Sequence, residues 1–194
     1  VDVAGETQRG VDCTARALDM SPDNAFCLAI DGLAHSNLLK RLDIAKQRYD
    51  AALAVNPNEP LSLLLKGTLH AFRDEGQMAI DLVDKAKLRT PLDPFLYFYD
   101  CLSASAYVSA GRYEEALRLA DHSLALNNRH ISTMRTRMVA LHNLGMEKEL
   151  RAAGEELRRR SPDFTVDGYR KRHPAADFEV GRKVAAALRA AGLP

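Results

Sequence analysis

The amino-acid sequence predicts an all-α fold: a solenoid of antiparallel helical hairpins closed by a C-terminal helix. Three observations predict it. Helix-ending markers recur along the chain, with Pro22, Pro57, Pro91, Asn128 and Pro162 separated by 35, 34, 37 and 34 residues. A period near 34 is that of a stacked helix–turn–helix unit. Small residues keep a fixed offset from these markers: Gly10, Ala45, Ala79 and Ala116 lie twelve before them, and Ala17, Ala52, Ala86 and Ser123 five before. The preceding helix of each unit repeats a second pattern, in which Gly32, Gly67, Ala104 and Met138 are each followed three residues later by His35, His70, Tyr107 and Leu141. A small residue lets two helices approach, and a larger one a turn later fills the hairpin.

The elements follow in order. Residues 6–24 read as the second helix of a unit whose first helix is missing, stopped by Ser21-Pro22. Residues 25–58 form the first full unit, with Gly32, a turn at Leu39–Asp43, then Ala45, Tyr49, Ala52, Leu53 and Pro57, and they need one inserted residue. Residues 60–93 form the second, with Gly67, a turn at Arg73–Gln77, Ala79, Ala86 and Pro91. Glycine in mid-helix costs about 0.5–1 kcal/mol relative to alanine, so Gly32 and Gly67 point to close packing. Asp93-Pro94-Phe95 adds three residues, and Asp93 is expected to cap the next helix with Pro94 at its first position. Residues 97–130 are the most regular unit, with Ala104, Tyr107, a Gly111–Arg112 turn, Tyr113, Ala116, Ser123 and Leu124. Residues 131–164 keep Leu141, Gly145 and Pro162, but Leu150 and Leu157 replace the small residues, so this hairpin is expected to splay. The array thus covers 1–164, and 165–194 leaves the period. Within that tail Asp177–Ala191 is amphipathic, with Phe178, Val184, Leu188 and Ala191 on one side. A helix of this kind covers the apolar end of a solenoid.

This spacing of small, aromatic and proline residues resembles the tetratricopeptide repeat (TPR), although no unit carries the family's tryptophan. The resemblance implies a right-handed α–α superhelix whose concave face, lined by the first helices, takes a protein or peptide. Projected onto this chain, the groove candidates are Phe26, Ala29 and Leu33 from the first unit and Leu61, Leu64, Thr68 and Phe72 from the second. The third unit supplies Phe98, Cys101, Ser105 and Ser109, and the fourth Ser132, Arg135, Val139 and His142. One end is apolar and the other polar to basic. The family's carboxylate clamp needs Lys and Asn on the first helices. Leu64 and Thr68 stand in those places, so that mode is not expected. The tail, with Asp163-Phe164-Thr165-Val166, Arg170, Arg172, Pro174 and the closing Leu188–Pro194, is similar to the end of a bacterial group in which a TPR array follows an effector domain. That domain is either a winged helix or a class III adenylate/guanylate cyclase. The chain would then be the regulatory module of a longer protein, and its first residue, Val1, fits a piece cut from one.

Composition narrows the function further. Hydrophobic residues make up 46% and charged residues 27% of the 194, which fits a folded soluble protein and not a disordered one. Net charge is +1, yet residues 1–128 carry 13 basic against 18 acidic side chains and residues 129–194 carry 14 against 8. The basic third could face an acidic partner or simply be a solvated surface. Arg158-Arg159-Arg160 and Arg170-Lys171-Arg172 are its densest runs, but no nucleic-acid motif accompanies them and nucleic acid is not an expected partner. Cys13, Cys27 and Cys101 are widely spaced and odd in number, which points to a reducing, cytoplasmic compartment. No run reaches the roughly 18–20 apolar residues of a membrane helix, and no secretory signal is present. The six histidines form no metal signature. His35 and His70 share one repeat position and could neighbour each other, as packed residues or as a ligand pair of a small-ligand sensor. No nucleophile–base set, phosphate loop or dinucleotide glycine pattern occurs, so no catalytic residue, metal or cofactor is expected. The expected partner is a protein or peptide, or the upstream domain itself. A homodimer formed at the edge of the half repeat is the alternative.

Overall fold

Eleven α-helices and no strand are found among the described residues. The structure is a computed structural model and describes residues 3–194. Val1 and Asp2, the first residues of the expected array, lie outside the described residues. Helix α1 (Val3–Met20) precedes four hairpins: α2 (Ala25–Asn37) with α3 (Leu42–Val55), α4 (Pro60–Phe72) with α5 (Gly76–Lys87), α6 (Leu96–Ser109) with α7 (Tyr113–Leu126), and α8 (Ile131–Asn143) with α9 (Glu147–Arg160). Two helices, α10 (Val166–Arg172) and α11 (Glu179–Ala190), complete the chain.

Where α2 and α4 begin, an orphan backbone N–H finds an acceptor or is absent. The Asn24 side chain accepts from Cys27 N at 3.0 Å, and Glu59 accepts from Ser62 N with Pro60 at the first position of α4. Before α6 the arrangement differs from the expectation. Asp93 Oδ1 accepts from Phe95 N at 2.7 Å, closing a turn, and the helix begins only at Leu96, with Phe95 in the cap position. Pro94 therefore lies in the turn and not at the first helical position.

The hairpin turns share one closing bond. The amide of Glu75 donates to His70 O at 3.0 Å, Arg112 to Tyr107 O at 2.9 Å, and Met146 to Leu141 O at 3.0 Å. In the first unit the donor is Arg41 and the acceptor His35 at 2.9 Å, one residue further on, so the inserted residue sits in the α2–α3 turn. The two later turns use Gly111 and Gly145 at φ +74° and +70°. The α4–α5 turn instead places Asp74 at φ 62°, a conformation a short polar side chain tolerates.

The small residues form buried seams. Ala45, Ala52, Ala79, Ala86, Ala116 and Ser123 are all inaccessible to solvent. A Cβ on Gly32 would stand 2.5 Å from Tyr49 Cε1, so this glycine is where the fully packed Tyr49 ring lies against α2. Two buried carboxylates pin the regular hairpins together. Asp31 accepts from Thr14 Oγ1 at 2.6 Å and Arg48 Nε at 2.7 Å, joining α1, α2 and α3. Asp100 accepts from Lys87 Nζ and His122 Nδ1, both at 2.6 Å, joining α5, α6 and α7.

The last hairpin is built differently. Leu150 and Leu157 are buried where the other units have small residues, and α8 and α9 touch over a shorter stretch than the other pairs. Val166, Tyr169, Leu188 and Leu193 from the C-terminal segment complete that cluster. Gly154 makes room for it, since a Cβ there would meet Ala191 O at 2.1 Å. The segment does more than cover the end. It turns back across the concave side, where α11 contacts α4. There the Asp74 carboxylate accepts from Glu179 N at 2.9 Å and Val180 N at 2.8 Å, capping α11 from a hairpin more than a hundred residues away in sequence. Lys40 Nζ donates to Lys171 O at 2.5 Å, and Phe72 meets His173 edge-on at 5.2 Å.

Candidate functional site

Between the first helices and the returning C-terminal segment lies a cavity of about 760 Å³. Its floor is the inner surface of α2, α4, α6 and α8, and its other wall is built by the Arg160–Phe164 loop, α10 and the start of α11. The cavity crosses the solenoid obliquely. On α2 and α4 it is lined towards the C-terminal ends, by Leu33, Ser36, Asn37, Thr68 and Phe72. On α6 and α8 it is lined mainly from their N-terminal halves, by Phe98, Cys101, Ser132 and Arg135. Successive hairpins of a solenoid are rotated, so a straight channel meets each helix at a different height.

That obliquity sorts the sequence candidates. Leu33, Thr68, Phe72, Phe98, Cys101, Ser105 and Arg135 line the cavity, with Ser132 and Val139 beside them. Phe26 lies at the exposed start of α2, 56% accessible, and Leu61 packs against the core between repeats with Phe98 and Leu102. Leu64 is fully buried within the main core cluster, so it is scaffold and offers no surface to a partner. Ser109, next to the lining residue Val108, and His142, near the far end of α8, are not on the lining, and His142 is exposed. Sequence reasoning missed the second wall. Tyr169, Arg172, His173, Val180 and Val184 face the cavity, and the amphipathic pattern of Asp177–Ala191 is the one signal pointing to any of them.

The chemistry is graded along the cavity. Leu33, Phe72, Val180 and Val184 make one region apolar. The α8 end carries Arg135, whose Nη2 donates to Ser132 Oγ at 2.8 Å and whose guanidinium stacks over the Tyr169 ring at 5.3 Å. No carboxylate among the described residues forms an ion pair with it. Burial pulls the Arg135 pKa down, and the neighbouring Arg172 charge adds to that. Burial and then the Arg135 charge also hold His130 below its ordinary value. His173 is driven down to about 3 by burial first, then by Arg135 and Lys40, so its imidazole is neutral in the folded protein. Burial pushes the Cys101 thiol up to about 11, which makes it a poor nucleophile.

Of the other charged features, Arg160, Asp163 and Arg172 also lie on the lining, and the rest face elsewhere. His35 Nε2 lies 3.6 Å from Asp31 Oδ2 and His70 Nδ1 is paired with Glu75, so each histidine meets a carboxylate of its own hairpin. Among the described residues no group of three or more His, Cys, Asp or Glu could hold a metal ion. Arg159 and Arg160 pair with Glu156, and Arg158 Nη2 donates to Gly192 O at 2.8 Å, so this basic run ties the C-terminal end to α9. No helix among the described residues is long and apolar enough to cross a membrane.

No protein-family model matches the sequence, and no curated protein is significantly similar to it. Solved structures are similar in fold. PilW, described as a widely conserved type IV pilus biogenesis factor, superposes with a TM-score of 0.70 at 18% identity, over 97% of this chain and 83% of that one. A thermophilic TPR protein of Thermus thermophilus gives 0.68 at 14% identity, over 96% and 92%. YrrB, described as a TPR protein with an unusual peptide-binding site, gives 0.57 at 18% identity, over 93% and 91%. With eight of the eleven described helices paired at the repeat period and these neighbours, the chain has the fold of a TPR solenoid, a right-handed α–α superhelix.

Proposed function

We propose that this chain is a non-catalytic protein-interaction module that takes a segment of a partner along its concave face and regulates an effector domain joined to it in a larger bacterial protein. The observation that carries this reading is the cavity on the inner face of the first helices, where a solenoid of this fold presents its most concave surface. The peptide-binding site described for YrrB supports a peptide as occupant. The effector domain, a winged helix or a class III cyclase, rests on the resemblance of the 163–194 tail to the end of such regulators. The three free cysteines fit a reducing compartment such as the cytoplasm.

The test is capture of a partner segment on a peptide array, followed by titration against Leu33→Asp and Ser105→Trp. Both positions border the cavity without being fully buried. A loss of binding of roughly tenfold or more in variants with an unchanged circular dichroism spectrum is expected, and unchanged affinity contradicts the groove assignment. A second reading, a homodimer, is favoured by the exposed Met20 (85%) and Phe26 (56%) at the α1–α2 edge. Sedimentation equilibrium separates the two, because a monomer at all concentrations removes the dimer.

A further inference from the structure

Besides any partner segment, the cavity has the chemistry of a small-molecule site. Its volume, about 760 Å³, lies within the roughly 300–1,000 Å³ of such sites. Most of its lining is apolar, with neutral polar groups such as Asn37 and Thr68 spread along it and its charged groups gathered at the α8 end, as in sites that orient an amphipathic ligand. The polar end is unbalanced. Arg135 and Arg172 both face it, close enough for the charge of one to act on the other. Among the described residues Arg135 has only Ser132 Oγ and the Tyr169 ring, and the one side-chain bond of Arg172 is to the carbonyl of Gly168 at 3.2 Å. The third guanidinium at the rim, Arg160, is already paired with Glu156. Asp163 is the single acid on the lining, and it is exposed and forms no ion pair with these arginines. Arg172 is exposed, but Arg135 is half-buried, and a cation drawn out of water is normally matched by an anion, because an uncompensated charge is costly there. His130 and His173 cannot supply that match, since an imidazole is neutral or cationic.

We infer that the cavity binds a small amphipathic carboxylate, its head on the Arg135 guanidinium with Arg172 nearby and its apolar body along Leu33, Phe72, Val180 and Val184. A guanidinium presents two parallel donors that fit a carboxylate. The apolar body lies between α4 and the start of α11, so the ligand touches both walls. It therefore holds the C-terminal segment against the solenoid, because a ligand that binds only the closed state stabilises that state. This goes beyond the partner reading and does not need it. No partner protein enters the test.

The test uses the whole chain and three probes below micelle-forming concentration: decanoate, decanol and acetate. Thermal shift and titration calorimetry are expected to show decanoate binding, with decanol and acetate at least roughly tenfold weaker. Arg135→Met is expected to lose decanoate at least roughly tenfold, and Arg135→Lys, which keeps the charge but neither the paired donors nor the stacking on Tyr169, to bind between wild type and Arg135→Met. Hydrogen exchange of α10 and α11 is expected to slow when decanoate is added to the wild type. The circular dichroism spectrum of Arg135→Met checks its fold, and should it not fold, Val184→Trp, which fills the apolar end, takes its place. Equal binding of decanoate and decanol overturns the head-group assignment. Absence of decanoate binding to the wild type overturns the inference, as does undiminished binding to folded Arg135→Met or Val184→Trp.

Discussion

The hairpins α2–α7 and the end formed by α8–α11 solve the same packing problem in opposite ways. In the first region alanines and Ser123 close the helix pairs, and buried Asp31 and Asp100 lock neighbouring helices by ion pairs and hydrogen bonds. In the second, Leu150 and Leu157 hold the last pair apart, and side chains from α10 and α11 fill the space. The regular region gives a rigid floor with little chemistry of its own. The irregular end supplies the second wall of the cavity, its unpaired Arg135 and its neutral His173. In this molecule the departures from the repeat, more than the repeat, carry the features from which a function can be argued.

The contrast can be broken region by region. The largest effect is expected from Lys87→Met, which removes the Lys87 ammonium from the buried Asp100 carboxylate and leaves it the hydrogen bond with His122 Nδ1. Stranding a buried charge costs about 3 kcal/mol or more. Urea unfolding should show that loss, with faster hydrogen exchange confined to α5–α7. Gly154→Val attacks the other region. Its side chain would collide with Ala191 O, where an added Cβ stands at 2.1 Å. Overpacking of this kind costs about 1–3 kcal/mol. Exchange should quicken in α9–α11 while α2–α7 keep their protection. Asp74→Ala removes the cap from Glu179 N and Val180 N. It should cost about 1 kcal/mol, read as easier proteolysis before α11.

The smallest effect concerns pH. His173 is held down to about 3 in the folded chain, against the ordinary 6.5. Between those values the unfolded chain binds a proton that the folded one refuses. Its contribution is therefore complete above about pH 6.5 and is lost as pH falls, with a slope of up to about 1.4 kcal/mol per pH unit. The groups facing it are Lys40, Arg135, Tyr169 and Phe72. His173→Gln should flatten the dependence of stability on pH between about 6.5 and 4 relative to the wild type. An unchanged slope would remove His173 from the account.

Much of the fold is legible in the sequence because the repeat rests on local constraints. Proline stops a helix wherever it falls in the interior, and a seam position admits only a small side chain, so Pro57 or Ala52 reads the same without its surroundings. The cavity is legible only in part. Transferring one set of positions to every first helix reaches Leu33, Thr68, Phe72, Phe98, Cys101, Ser105 and Arg135. It also reaches Leu64, which is core, and Phe26 and His142, which the oblique path leaves aside. The second wall depends on contacts with no periodic trace. Asp74 looks like an ordinary turn residue until Glu179 and Val180 are placed against it, and Tyr169 and His173 lie beside a basic run that reads as solvated surface. Buried Asp100 is hidden for the same reason, since its partners come from the helices before and after it.

The central claim is that the C-terminal segment is a wall of the concave face and not a loose tail. Hydrogen exchange of the intact chain, read peptide by peptide over 165–194, tests it most directly. The account predicts that amides of α10 and α11 are protected to a degree comparable with α8, and that Asp74→Ala weakens this protection without altering α6 and α7. Exchange of α10 and α11 at the rate of an unstructured peptide, or protection indifferent to Asp74→Ala, would contradict it.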